Sequence, residues 1–175
     1  SSFRGCVFDQ VRFSGTVFAQ ASFEQCRFTG CDLSNADLGE SELDTVTVKD
    51  SKLLGATFAG AVLRGVQVTE TLCRLVSFFR ASVSDTSFIE CDLGESDFRE
   101  AKLRLSALAR CDLSSVSFTG ADVRQLDIRG SVLDGSVSLT ECAGFIVSTP
   151  DVAPLAARVL REVGATVDDN DLTTD

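Results

Sequence analysis

Cys31-Asp32-Leu33-Ser34-Asn35-Ala36-Asp37-Leu38-Gly39-Glu40-Ser41-Glu42-Leu43-Asp44-Thr45 repeats one five-residue unit three times. A leucine stands at the centre of each unit (Leu33, Leu38, Leu43), and a small residue lies two places before it (Cys31, Ala36, Ser41). Extended in both directions, this register runs without a slip from Phe3 to Leu133. The central residue is large and apolar throughout, with Cys73 the one small exception. The residue two before it is Ala, Ser, Thr, Cys or Val, with Leu126 the one large member. Neither series contains a charged residue, although 24% of the chain is charged.

A period of five fits neither a helix at 3.6 nor a strand at 2. It fits a chain that turns a corner every five residues, with two side chains inward and three outward. Glycine at many corners (Gly5, Gly15, Gly30, Gly55, Gly60, Gly65) suits such turns. Two columns recur at a spacing of twenty: Phe58, Phe78, Phe98 and Phe118, and Asp50, Glu70 and Glu90. Four sides of five residues therefore make one coil. At ~4.8 Å per coil the repeat region forms a rod of about 32 Å, held by contacts between neighbouring coils.

The units beginning at Cys31, Ala36, Cys91 and Cys111 resemble the A-(D/N)-L-X-X consensus of pentapeptide repeat proteins. The resemblance spans about three quarters of the chain. It implies an all-β solenoid, a right-handed quadrilateral β-helix. Phe at the centre and Cys two before it are closer to the Qnr and MfpA group than to the Ala-Asn-Leu repeats of cyanobacteria. Members of that group are thought to act on DNA gyrase by DNA mimicry. The uninterrupted coils are more similar to MfpA than to Qnr proteins with projecting loops.

The composition sets further bounds. The chain carries a net charge of −10 and has no His, Trp, Tyr or Met. With no Met, a processed or shortened N-terminus is expected. No stretch reads as a signal peptide or membrane span, which points to the cytoplasm. Cys6, Cys26, Cys31, Cys91 and Cys111 occupy the small inward position, and Cys73 a central one. They read as buried free thiols, with no C-x-x-C pair and no His to complete a zinc site.

The repeat is expected over residues 1–139, a C-terminal cap over 140–167 and an acidic disordered tail over 168–175. Thr149-Pro150-Asp151 reads as a helix start, with Thr149 capping and Pro150 at the first helical position. Pro154 is an alternative start. Val152, Leu155, Val159, Leu160 and Val163 share one apolar helix face. Such a helix covers the open end of a solenoid. The resemblance to gyrase-protecting relatives implies that it also joins two chains.

No catalytic constellation is present. Without His the usual general base is missing, and no phosphate-binding glycine loop occurs. No cofactor or metal is expected. The surface signals are charge and apolar exposure. Asp50, Glu70 and Glu90 stack at one corner, with Asp32, Asp92 and Asp112 on the adjoining side. A rod of regularly spaced carboxylates can compete with DNA for a basic groove. Yet residues 1–139 carry 14 Lys+Arg against 19 Asp+Glu. Duplex DNA of the same length carries about 19 charges, at one per ~1.7 Å. Any mimicry is thus confined to one side. Arg74, Arg80, Arg99, Lys102, Arg104 and Arg110 read as a basic cluster on the later coils. Leu72, Leu75 and Phe79 point outward in one coil, either as a partner patch or in a bulge that turns them in. The expectation is a non-enzymatic protein that binds a type II topoisomerase as a homodimer, without direct contact to nucleic acid or membrane. The alternative is a scaffold rod with an unrelated partner.

Overall fold

The computed structural model describes residues 1–133, 143–162 and 164. The five-residue register becomes a square coil of twenty residues. Phe3 pairs with Phe23, Leu43 with Leu63, and Val83 with Leu103, always in parallel. The first side is built from short strands such as Ser22–Glu24, Glu42–Asp44, Val62–Arg64 and Ser82–Ser84. The second side holds strands such as Arg27–Thr29, Thr47–Lys49, Gln67–Thr69 and Ser87–Ile89. The third and fourth sides are ladders of single bridges, for example Lys52 to Leu72 and Thr57 to Ser77. In the later coils Lys102–Ala109 and Asp122–Asp127 run continuously across the first two sides. The result is a right-handed quadrilateral β-helix of about seven turns.

Each corner demands one residue with left-handed backbone. Every fifth residue from position 5 to 130 has positive φ, near +50° to +70°. Glycine fills some of these corners, but Gln, Asn, Asp and Glu fill more. Leu75 and Leu105 also sit there, at φ 59° and 49°, where a large side chain meets the backbone unfavourably.

The central residues fill the core. Phe58, Phe78, Phe98 and Phe118 stack with ring centroids 5.3, 4.6 and 5.3 Å apart. The small inward series leaves room for them and supplies hydrogen bonds. Ser51 Oγ donates to the Lys49 carbonyl at 2.7 Å and accepts from the Cys31 N–H at 3.0 Å. Thr71, Thr86 and Ser106 make equivalent pairs of bonds, and Ser131 accepts from the Cys111 N–H while donating to the Leu108 carbonyl. No buried side-chain N or O among the described residues lacks a partner. A hydroxyl in this series therefore avoids the cost of an unsatisfied buried polar group.

The C-terminal end departs from the period. Phe145–Ile146 adds a last strand beside Leu126–Asp127, offset by nineteen residues rather than twenty. This places the Phe145 ring 5.3 Å from Phe118, edge to face, at the end of the aromatic column. A helix follows at Thr149–Glu162. Its cap is Ser148, not the expected Thr149. The Asp151 carboxylate accepts from the Ser148 N–H at 2.9 Å and from its hydroxyl at 2.5 Å. Thr149 cannot serve because it already has helical backbone, and the cap must lie outside the helix. Pro154 lies inside the helix rather than at its start. The expected boundary at 139/140, the end of the cap at 165–167 and the tail at 168–175 lie outside the described residues.

Candidate interaction surfaces

The consensus aspartates serve the corners. Asp32 accepts the Ser34 N–H at 3.0 Å, Asp92 that of Gly94 at 3.0 Å and Asp112 that of Ser114 at 2.8 Å. Asp37, Asp97 and Asp127 do the same on other sides. Such a bond satisfies a backbone donor just before the left-handed corner. The bonds from Ser34 and Ser114, side chain first and then N–H, hold Asp32 and Asp112 below the usual carboxylate range. Partial burial pushes Asp97 up, but the Arg99 side chain and N–H outweigh it and leave it low. Three members of the expected acidic surface are thus structural groups, half-buried in their turns.

Asp50, Glu70 and Glu90 do form one corner column, and cations answer each of them. Lys49 Nζ lies 3.3 Å from Glu70 and 4.0 Å from Asp50, while Arg110 Nε lies 2.9 Å from Glu90. Arg110 occupies the next position of the same column. The column is closer to neutral than the sequence spacing suggests.

The basic cluster does not assemble. Arg74 pairs with Asp92 and Glu95, Arg80 with Glu100, Arg99 with Asp97 and Arg104 with Asp122. Arg74 lies on the third side, Arg80 and Arg99 on the fourth around Phe79, and Lys102 and Arg104 on the first, because five residues of sequence turn a corner. The missed signal is opposite charge at the coil spacing of twenty. Several ion pairs join residues twenty apart, as in Arg4–Glu24, Arg80–Glu100 and Arg110–Glu90.

Leu72, Leu75 and Phe79 do not form one patch. Leu72 and Phe79 are half-buried on different sides, and the ladder through this coil is unbroken, so there is no bulge. Arg80 and Arg99 place guanidinium carbons 4.7 and 5.7 Å from the Phe79 ring centroid. Leu75 alone is fully outward, 53% exposed at its corner.

At the C-terminal end the apolar helix face is only partly used. Leu155 and Pro154 line a cavity of about 260 Å³ against Ile128, Val132 and Leu133. Val152 and Leu160 remain 50% and 44% exposed. Ile146, Val147 and Val132 are exposed nearby in the last strand and final coil. The Val159 side chain and Val163 lie outside the described set.

Among the described residues no group of His, Cys, Asp and Glu is placed to hold a metal. Six cysteines are free thiols, and Cys142 lies outside the described residues. Contact with Cys91, together with burial, raises the Cys73 and Cys111 thiols and keeps them protonated. No described helix is long and apolar enough to cross a membrane.

A family model for a pentapeptide repeat region matches residues 1–78, and one for pentapeptide repeats matches 77–114 and 96–135. Comparison with curated proteins finds no match. Among solved structures, a trypsin-treated variant of QnrB1, described as a plasmid-mediated fluoroquinolone resistance protein, is 18% identical. It covers 96% of this chain and 92% of its own, with a TM-score of 0.52. A second trypsin-treated variant gives the same identity and TM-score over 95% and 90%. HetL, a pentapeptide repeat protein involved in heterocyst differentiation regulation in the cyanobacterium Nostoc, is 16% identical over 75% and 72%, with a TM-score of 0.38.

Proposed function

This chain belongs to the pentapeptide repeat family, and from that premise we propose that it is a non-enzymatic cytoplasmic protein that binds a type II topoisomerase, DNA gyrase, as a homodimer. In this reading it modulates the enzyme's sensitivity to quinolones or toxins. The supporting observation is the correspondence over 96% of this chain with a trypsin-treated form of a fluoroquinolone resistance protein. The half-exposed apolar set Val152, Leu160, Ile146 and Val147 at that end supports a second copy docking there. The mimicry is partial. The rod supplies the length of a short duplex, but ion pairs answer most of its carboxylates.

Purified chain added to a gyrase supercoiling assay, with and without a quinolone, tests the reading. Inhibition or drug protection at micromolar protein is expected. No effect on either would favour a second reading, which the neutralised Asp50–Glu70–Glu90 column supports: a scaffold rod with an unrelated partner. Reversal of Asp50, Glu70 and Glu90 to Lys is expected to abolish gyrase binding. Unchanged binding would remove that corner from the mechanism.

A further inference from the structure

The first side of the square carries its charges in two blocks. One outward column reads Ser2, Ser22, Glu42, Val62, Ser82, Lys102, Asp122 in successive coils, and its neighbour reads Arg4, Glu24, Asp44, Arg64, Ser84, Arg104, Arg124. Coils two and three are acidic there, and coils six and seven mostly basic. Small side chains separate the blocks at Ser82 and Ser84. Glu42, Lys102 and Arg64 make no ion pair among the described residues, and Asp44 bonds only the Thr45 hydroxyl, whereas Glu24 is paired with Arg4, and Arg104 and Arg124 with Asp122, in solvent-exposed bridges that can exchange partners.

We propose that this side is a self-complementary interface on which a second copy of the chain packs antiparallel, with the two-fold axis passing between the fourth and fifth coils. That operation sets each column against itself in reverse order. Glu42 then faces Lys102 of the other copy, Asp44 faces Arg104 and Glu24 faces Arg124, each pair occurring twice, as a two-fold contact requires. Val62 meets Ser82 at the centre, where small side chains permit close approach.

Other arrangements fail on charge. A parallel two-fold along the rod sets Glu42 against Asp44 and Lys102 against Arg104. Moving the axis up to the fifth coil sets Glu42 against Asp122 and Arg64 against Arg104. Moving it down to the fourth coil leaves Glu42 and Asp44 opposite Ser82 and Ser84. From the second coil to the seventh, only the stated register pairs opposite charges in every charged row except Asp122, which faces Ser22, and Arg64, which faces Ser84; Arg4 of the first coil lies beyond the paired rows.

One narrow side of six coils buries a few hundred Å² per partner, below the ~800 Å² of a stable complex. The association is therefore weak and electrostatic, and separate from the helix contact at the C-terminus. Because exposed pairs are screened by salt, its dissociation constant rises on the order of tenfold from ~50 to ~500 mM NaCl.

Sedimentation velocity of the full chain at both salt concentrations reads this directly. A mass-doubling step is expected at low salt that weakens at high salt, and it persists in a Leu160→Asp variant. Its absence at hundreds of micromolar protein would overturn the interface. Two charge variants test the pairing. Glu42→Lys with Asp44→Lys makes the side basic, and Lys102→Glu with Arg104→Glu makes it acidic. Each is expected to lose the step alone and to recover it in a one-to-one mixture; a mixture that stays unassociated would refute the pairing. In wild-type protein a zero-length carbodiimide is expected to join Glu42 to Lys102 between chains. Within one chain these lie three coils apart, about 14 Å, beyond its reach. Cross-links that never involve this pair would exclude the proposed register.

Discussion

Phe98→Ala is the most direct test of the core. Phe98 is fully buried, with Phe78 stacked below it at 4.6 Å and Phe118 above at 5.3 Å. Truncation removes about 100 Å³ of side chain. At ~24 cal/mol per Å³ an unrelaxed cavity of that size costs about 2.4 kcal/mol. Lost transfer of the ring adds about 2 kcal/mol. The sum, roughly 4 kcal/mol, lies inside the usual 3–5 kcal/mol for Phe→Ala. Little collapse is available, because each coil is fixed by backbone ladders above and below. Against a total stability of ~5–15 kcal/mol, this is a large fraction. Phe98→Leu keeps most of the volume and loses chiefly the two ring stacks, at about 0.5–1.5 kcal/mol each. Guanidinium unfolding followed by far-ultraviolet circular dichroism measures both, since the chain has no Trp or Tyr. A loss below ~1 kcal/mol for Phe98→Ala would refute the stacked column and the twenty-residue coil behind it.

Four further outcomes are expected. Asp112→Asn retains an acceptor for the Ser114 N–H and is expected to cost less than Asp112→Ala, which loses about 1 kcal/mol by urea unfolding at pH 7. Asp32, Asp97, Asp112 and Asp127 are all held below the ordinary carboxylate range in the fold. Their contribution is present above an unfolded value of ~4 and is lost as pH falls through the lower folded values; a urea midpoint that did not drop below pH ~4 would contradict this. Leu75→Asn relieves a branched side chain at φ 59° and is expected to stabilise by about 0.5–1 kcal/mol, read as a higher denaturant midpoint. Leu160→Asp is expected to halve the mass in light scattering at high salt, and an unchanged dimer would remove the helix from that contact.

The fold was almost wholly legible in the residues. Leu33, Phe78 and Leu113 are inward because each is central in an unbroken register, and their burial follows from spacing alone. The coil of twenty was legible in the Phe58–Phe118 column. The roles of the carboxylates were not. Asp112 and Glu90 look alike as outward acids, yet one closes a turn and the other pairs with Arg110. The distinction lies in their place within the five-residue unit: before the central residue a carboxylate reaches a corner N–H, while at the corner it meets whatever stands twenty residues away. The six basic residues read as one patch were divided by corners among several sides, with Arg80 and Arg99 left together at Phe79 and Lys102 and Arg104 together on the first side. The cap at Ser148 and the nineteen-residue offset of Phe145 follow no period, so no repeat could announce them.

The sequence by itself determined the inside of this protein. A solenoid core is a one-dimensional stack in which every buried contact joins a residue to its neighbours on the coil or to those twenty away, so a period written along the chain specifies it. Tertiary structure decided the outside. Which charges remain free, which sit on one flat side and which end is left apolar depend on columns that cross the coils, and on how long side chains lean between them. Those relations place Glu42 and Lys102 on the same side with no ion-pair partner among the described residues.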